Sequence, residues 1–232
     1  MEKIKNFFRS ISYPSLGKRG IILIIGILLS NFGIACYYKC LLGTDPYSVM
    51  IDSMHTLFNL SHGQITNILN IVLFVLMLIF GRKYINLGTV VSALAAGTLI
   101  DLFERLVDVI MPEPVLWMQI VILAIGFFTF AAGIGLVVTA SLGLGVAEFI
   151  PVLISEKSGI NLRWIRIGYD VFCLLTGVVL GLIASRRIFG DLVGVGTILG
   201  AFGTGVVMKF IINRLGGPLG KWFGPLKKEQ AA

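Results

Sequence analysis

The sequence has few charged residues and few of the side chains that carry most catalytic chemistry. Only 13% of its 232 residues are charged, whereas soluble domains average about 25%. It has two histidines and three cysteines, and it lacks a nucleophile elbow, a Walker motif, a dinucleotide fingerprint and a zinc signature. The shortage of charge excludes a water-soluble fold. The missing motifs leave no catalytic residue, cofactor site or metal site to predict, so an enzyme is disfavoured.

The few cysteines and histidines are expected to be structural. Cys36 and Cys40 lie one helical turn apart in an apolar stretch and Cys173 lies in another, without CxxC pairing. His55 and His62 are seven residues apart without a carboxylate at metal-site spacing. We therefore expect core cysteines, and histidines that only add polarity to a loop.

The net charge of +7 comes from basic residues at the termini and in short connections. A nucleic-acid-binding chain would instead show a basic stripe with interleaved aromatic residues. Basic ends that face the inner leaflet explain the charge. The sequence predicts contact with membrane lipids and excludes nucleic acid as a partner.

Six apolar segments are long enough to cross a hydrocarbon core, which takes about 20 residues of helix. The first is longer than the apolar region of a cleaved signal peptide and is expected to remain as a membrane helix. The sequence therefore predicts an all-α membrane protein with six transmembrane helices, at about 20 to 42, 64 to 81, 86 to 107, 116 to 140, 165 to 185 and 191 to 212.

The distribution of charge predicts that both termini face the cytoplasm. The N-terminal segment, the loops around Arg82 and Arg163, and the C-terminal tail are basic and fall on one side. Arg186 and Arg187 would lie outside and are the clear exception. The acidic residues near the other side are Asp101, Glu104, Asp108 and Glu113.

The chain resembles itself after a shift of 100 residues, which becomes 108 after an insertion around residues 186–192. Chance matches between glycines are the alternative. Since three helices is an odd number, two such copies enter the membrane from opposite sides and form an inverted-topology repeat. The predicted organisation is a basic segment 1–19, three-helix repeats 20–110 and 116–214, and a basic tail 215–232. The shift of 100 places Gly26, Gly33, Ile34, Leu42, Gly43, Ile65 and Gly81 on Gly126, Gly133, Ile134, Leu142, Gly143, Ile165 and Gly181, and the shift of 108 places Gly88, Thr89, Ala93 and Gly97 on Gly196, Thr197, Ala201 and Gly205.

Each half is interrupted after its first helix. In Leu42-Gly43-Thr44-Asp45-Pro46, Gly43 suits a helix end, Asp45 an N-cap and Pro46 the first helical position, so a short helix is expected through about Leu60. The second half has Leu142-Gly143-Leu144-Gly145, followed by Glu148. Paired interruptions of this kind indicate a transporter site, and a restarted helix favours an anionic or polar ligand group. The alternative is an interfacial helix with an ordinary cap.

Polar side chains within the spans are expected to face a cavity or a partner. Asp170 matches Asn70 in the repeat and is the candidate for proton or cation coupling; its alternatives are a helix-end cap or a partner for Arg166. Asp101 and Lys209 also match, and both are expected to reach the interface by snorkelling. The predicted substrate-binding residues are Asn31, Thr44, Asp45, Asn70, Gly143, Gly145, Glu148 and Asp170.

Short motifs give the chain a family resemblance. They are the Leu42–Pro46 break, Ser61-His62-Gly63 before the second span, Leu87-Gly88-Thr89 before the third, and Asp101. Together they resemble the bacterial YczE/YyaS/YitT family of membrane proteins. The resemblance implies a multi-pass protein of the bacterial cytoplasmic membrane, and it supplies no binding residues. The second half lacks the Asp-Pro of the first, which argues against full functional symmetry.

Two functions are consistent with these features. The first is a small transporter, with export as one option, that moves an unidentified small molecule or ion through a midplane site between the repeats. The alternative is a non-transporting scaffold or regulatory partner of another membrane or biosynthetic protein, docked through a Gly216-Gly217-Pro218 turn and Trp222-Phe223. The substrate-binding subunit of a vitamin-type importer is disfavoured by the repeat. A homodimer would enlarge the small wall that six helices provide.

Overall fold

The computed structural model describes residues 13–112, 115–143, 145–184 and 192–223, and in these ranges the chain is built from helices. A 3-10 turn, Arg82–Tyr84, precedes the fourth helix, and another, Val146–Glu148, precedes the sixth. The predicted exceptions Arg186 and Arg187 lie outside the described residues, as do Glu113 and Leu144. The helices are α1 Tyr13–Cys40, α2 Pro46–Phe58, α3 His62–Phe80, α4 Leu87–Ile110, α5 Leu116–Ala140, α6 Phe149–Ser158, α7 Leu162–Ile183 and α8 Val195–Phe223.

Five of the long helices, α1, α3, α5, α7 and α8, are long and apolar enough to cross a membrane. Large apolar side chains such as Leu94 and Phe202 lie on the outer surface, where a soluble protein would expose few of them. Helix α4 has the length of a span but carries Asp101, Glu104, Arg105 and Asp108 in its C-terminal half. The predicted all-helical fold is confirmed and is consistent with a multi-pass membrane protein, whereas the described residues contain five candidate spans by length and composition instead of six.

The predicted interruptions are present. Asp45 caps α2, because its Oδ2 accepts a hydrogen bond from Ser48 N at 3.3 Å, and Pro46 begins the helix. Gly43 has φ +87° and Gly143 has φ +141°, so both breaks use backbone that L side chains rarely adopt. The short helices α2 and α6 follow these breaks. Each half of the chain therefore restarts as a short helix after its first long one.

The centre of the fold is the crossing of α1 and α5, which glycines make possible. A Cβ added at Gly33 would lie 2.5 Å from Phe130 N, and one at Gly26 would lie 2.9 Å from Gly133 O. In the reverse direction, a Cβ at Gly126 would lie 3.0 Å from Gly33 O, and one at Gly133 would lie 2.7 Å from Gly26 O. Here backbone packs directly on backbone. The three cysteines are buried and free, as expected of core residues.

Each interruption is joined by one backbone hydrogen bond to the start of a helix in the other half. Gly88 N donates to Leu142 O at 3.0 Å, and Gly196 N donates to Leu42 O at 2.9 Å. Helix α4 also packs on α1 and α8 on α5, while α2 lies along α7. Each break is thereby fixed in position by the opposite half of the chain.

The last helix differs from the sequence expectation. The predicted turn at Gly216-Gly217-Pro218 is wrong, because α8 continues through these residues to Phe223. Lys18 Nζ donates to Trp222 O at 2.9 Å, and the guanidinium of Arg19 lies 4.5 Å from the ring centre of Phe223. These contacts hold the end of α8 against the start of α1, which explains why the helix does not end at the glycines.

Candidate functional site

A cavity of about 240 Å³, hereafter the central cavity, lies between the two halves of the chain. Its lining comes from α1 to α5, the Val146–Glu148 turn, α7 and the backbone at Gly143 and Gly145. Six of the eight predicted substrate-binding residues line it, namely Asn31, Asn70, Gly143, Gly145, Glu148 and Asp170.

Thr44 and Asp45 are the two predicted site residues that do not line the central cavity. Thr44 is buried in the break, with only a long 3.5 Å hydrogen bond from its Oγ1 to Asp45 O. Asp45 turns back onto its own helix, and its backbone lies against Gly200 in the π turn of α8. Its Oδ1 has no hydrogen-bond partner among the described residues. Both residues shape the break behind the cavity wall.

The lining of the central cavity contains residues at matching positions of the two halves. At three of these positions the first half has a neutral side chain and the second half a charged one. Ser48, Thr66 and Asn70 correspond to Glu148, Arg166 and Asp170. Each pair is separated by the 100 residues of the sequence shift. The pairs are Ile34 and Ile134, Tyr38 and Val138, Tyr47 and Ala147, Ser48 and Glu148, Thr66 and Arg166, and Asn70 and Asp170.

Three charged side chains meet on the second-half wall. Arg166 Nη1 donates to Glu148 Oε2, and Arg166 Nε lies 3.6 Å from Asp170 Oδ1, one turn along α7. That second distance is too long for a good hydrogen bond. Asp170 is therefore both a partner of Arg166 and part of the cavity lining, two of the roles considered from the sequence.

The amides of the first-half wall are used partly for structure. Asn31 Nδ2 donates to Ile27 O at 2.7 Å within α1, and Asn70 Nδ2 donates to Ala93 O at 3.2 Å, which ties α3 to α4. The hydroxyl of Tyr47, by contrast, has no hydrogen-bond partner among the described residues. Tyr47 thus brings an unpaired polar group to the cavity lining.

A second cavity of about 710 Å³, hereafter the histidine cavity, lies at the C-terminal end of α1. Its lining includes His55, His62, Glu104 and Asp108, with the Lys39 ammonium 2.5 Å from Asp108 Oδ1. Tyr38 lines both cavities. The wall between the two cavities therefore includes this one tyrosine ring.

His62 lies between two carboxylates and two rings. Its Nε2 is 3.0 Å from Asp52 Oδ1, and its Nδ1 is 2.8 Å from Glu104 Oε1. The ring stacks on Tyr38 at 3.9 Å and on His55 at 4.0 Å between centres. Ionised carboxylates only accept hydrogen bonds, so this arrangement fits a His62 ring that carries a proton on both nitrogens.

The expectation that the histidines only add loop polarity is wrong, since they stack within this cluster. Sequence reasoning missed the cluster because His62 meets residues from α1, α2 and α4. The sequence did contain signals of such a cluster: Asp52 and His55 lie one helical turn apart, and so do Glu104 and Asp108. No group of three or more His, Cys, Asp or Glu residues in the described ranges has metal-site geometry.

Asp101 joins the residues that carry the family resemblance. Its Oδ2 accepts from Ser61 Oγ at 2.7 Å, and its Oδ1 accepts from Gly63 N at 2.8 Å. Asp101 on α4 therefore stabilises the start of α3, a role that the sequence did not predict. A helix N-terminus carries partial positive charge and unpaired N–H groups, which a carboxylate satisfies. Lys209, its counterpart in the repeat, is exposed on α8.

We expect Asp101→Ala to lower the free energy of unfolding by about 2 kcal/mol, because it removes two hydrogen bonds to a charged acceptor at a helix start. Asp108→Ala is the matched control seven residues along α4. Its carboxylate is 57% exposed, so its ion pair with Lys39 contributes at most about 1 kcal/mol. Unfolding by sodium dodecyl sulfate in mixed micelles measures both. Equal losses in the two variants would contradict the capping role.

Comparison with known proteins agrees with the membrane fold. A model described as "Family of unknown function (DUF6198)" matches residues 17–213. The chain is 28% identical over 190 residues to the "Uncharacterized membrane protein YczE" of Bacillus subtilis, covering 82% of this chain and 80% of that protein. An "Uncharacterized protein" of Haemophilus influenzae is 21% identical over 194 residues, covering 83% and 82%. No solved structure matches the chain. The resemblance to YczE-like proteins is confirmed: the chain is an integral membrane protein that belongs to the DUF6198 family.

Proposed function

We propose that the protein is a small-molecule transporter of the bacterial cytoplasmic membrane and that the central cavity is its substrate site. The observation that carries the proposal is the cavity lining, in which both halves contribute residues at matching positions. Transporters built from inverted repeats bind substrate between the repeats, near the midplane and beside interrupted helices. The central cavity lies between the two halves and beside both breaks, which supports a substrate site at the midplane.

The reciprocal contacts support an inverted repeat. Gly26 meets Gly133 while Gly33 meets Gly126, which is the pattern that a twofold axis between matching helices produces. The two backbone hydrogen bonds have the same relation, because Leu42 matches Leu142 and Gly88 matches Gly196. Two copies of three helices related in this way have opposite orientations in the membrane. This proposal takes α4 as a sixth span beside the five found by length and composition, and with basic termini it places both ends in the cytoplasm.

The test is whether water reaches the central cavity from both faces of the membrane. Ser92 lines the cavity, so we expect Ser92→Cys, with Cys36, Cys40 and Cys173 changed to alanine, to react with a charged methanethiosulfonate reagent. Reaction is expected in right-side-out and in inside-out vesicles, because a transporter opens its site to each side in turn. The measured quantity is the rate of thiol modification in each vesicle type.

Leu94→Cys in the same background is the control. Leu94 lies two residues away on α4 and is 73% exposed on the outer surface, where lipid would cover it. We expect little modification there from either side. If Ser92→Cys reacts from one face only, or from neither, the site does not alternate and the transporter proposal fails.

The non-transporting partner remains the alternative function. Its proposed docking segment includes Trp222 and Phe223, yet Phe223 is buried under Arg19 and Trp222 O accepts from Lys18. Deleting residues 216–232 would therefore remove contacts within the chain as well as a docking segment. The partner function would be favoured by two results together. Ser92→Cys would react from one face only, and deletion of residues 216–232 would abolish a cellular phenotype while the protein level stayed unchanged.

A further inference from the structure

The charges of the central cavity come from one half of the chain. The first half contributes neutral Ser48, Thr66 and Asn70, and the second half contributes Glu148, Arg166 and Asp170 at the same repeat positions. A pore that only passed water would need no such difference between its walls. The charged wall gives the cavity a polarity that a ligand can match.

Carboxylates outnumber cations on that wall. Arg166 is bound to Glu148 and lies only loosely against Asp170. Asp45 is close enough to interact electrostatically with Arg166 and with Asp170, and its Oδ1 has no partner among the described residues. Excess negative charge in apolar surroundings is costly, and a cation or a proton relieves the cost.

The starts of the short helices do not offer the anion site that the sequence suggested. Asp45 already accepts from Ser48 N at the start of α2, and Glu148 directly precedes α6. The start of α2 is therefore capped by a carboxylate of the chain, while α6 is preceded by an acidic residue whose side chain binds Arg166 and makes no capping hydrogen bond. A ligand anion would have to approach these carboxylates, whereas a ligand cation is attracted to them.

Most of the remaining lining is aromatic or aliphatic, with Ser30, Asn31 and Ser92 as polar exceptions. Tyr38, Tyr47, Tyr169 and Phe130 contribute rings, and Ile34 and Ile134 contribute apolar surface. Aromatic faces attract cations, and more strongly where water is excluded. The same surface would also bury an apolar group of a ligand. The cavity thus combines one acidic wall with ring and apolar surface.

We infer that the ligand of the central cavity is a small organic cation with an apolar group, whose positive centre binds at Asp170 while the apolar group lies against the tyrosine rings. The inference rests on the proposed function of this cavity as a substrate site. We assign the positive centre to Asp170 because Arg166 hydrogen-bonds to Glu148, whereas the 3.6 Å from Arg166 Nε to Asp170 Oδ1 is too long for a good hydrogen bond.

Benzyltrimethylammonium is a suitable probe, and 3-phenylpropionate carries the same ring with a negative charge. We expect equilibrium dialysis of the full chain in detergent to show saturable binding of the cation only. Asp170→Asn is expected to weaken that binding by about tenfold or more, since it removes the nearest charge. Asp108→Asn, which changes a carboxylate outside the central cavity, is expected to leave it unchanged. Absence of cation binding, stronger binding of the anion, or equal binding by Asp170→Asn and the wild type would overturn the inference.

A second measurement applies even if Asp170→Asn does not fold. We expect Ser92→Cys to react faster with the trimethylammonium-ethyl reagent than with the sulfonatoethyl reagent, by about tenfold after normalisation to a free thiol in solution, because the acidic wall concentrates cations. Modification from both faces without this preference overturns the cation inference and leaves the transporter proposal standing. Cation binding together with modification from one face only overturns the transporter proposal and leaves the cation inference standing.

Discussion

Gly33→Leu is expected to prevent accumulation of the folded protein, and Gly33→Ala to lower its free energy of unfolding by about 1–3 kcal/mol. Even a methyl group at this position would lie 2.5 Å from Phe130 N and 2.7 Å from Phe130 Cβ. The obstacle includes backbone, so it cannot rotate away as a flexible side chain would. The two helices would have to separate, and the lost packing along the crossing is what destabilises the protein.

Gly205→Ala is the control for this prediction. A Cβ there meets nothing within 4 Å, so the substitution should be neutral or slightly stabilising through helix propensity. Gly126→Ala, on the facing helix of the same crossing, should destabilise the protein less than Gly33→Ala, because a Cβ there lies 2.9 Å from Cys36 Cβ and 3.0 Å from Gly33 O. Unfolding in mixed micelles measures all three variants, and a Gly33→Ala protein as stable as Gly205→Ala would contradict the crossing.

Glycines that the 100-residue shift pairs in the sequence mark the centre of this fold. The shift of 100 residues paired the glycines at positions 26 and 33 with those at 126 and 133, and these four are the ones that meet at the crossing of α1 and α5. The breaks were predictable because Gly43 and Pro46 have restricted backbone roles. The end of α8 was not, since the helix continues past Gly216 through contacts with Lys18 and Arg19 that are distant in sequence.

The candidate site was predictable only where local sequence determines position. Asn70 and Asp170, which the 100-residue shift pairs, both line the central cavity between the two halves of the chain. Thr44 and Asp45 do not, because capping is a local demand that turns the Asp45 side chain back onto Ser48 N. The sequence suggested Arg166 only as one possible partner of Asp170. Its shorter contact, with Glu148, was not predicted because Glu148 lies on another element.

His62→Leu has the second large expected effect, a loss of about 3–5 kcal/mol in the free energy of unfolding, the range observed when a buried ion pair loses one partner. The imidazolium lies between Asp52 and Glu104, whose side chains are only 10% and 20% exposed. An apolar side chain there leaves two carboxylates close together without the cation between them. Their mutual repulsion adds to the loss of the two hydrogen bonds.

His55→Leu separates this charge effect from ring packing. His55 stacks on the same His62 ring, and its Nδ1 lies 2.5 Å from Leu60 O, so its replacement should cost only about 1 kcal/mol. Neutralising both carboxylates, as Asp52→Asn and Glu104→Gln, should recover much of the stability lost in His62→Leu, because the repulsion is then absent. Selective ¹⁵N labelling of histidine gives an independent readout: both His62 nitrogens should carry a proton. Two outcomes would contradict the charge effect: a neutral His62 ring, or equal losses of unfolding free energy for His55→Leu and His62→Leu. Either would mean that α1 and α4 are held together at this cavity by ring stacking against Tyr38 instead of by charge.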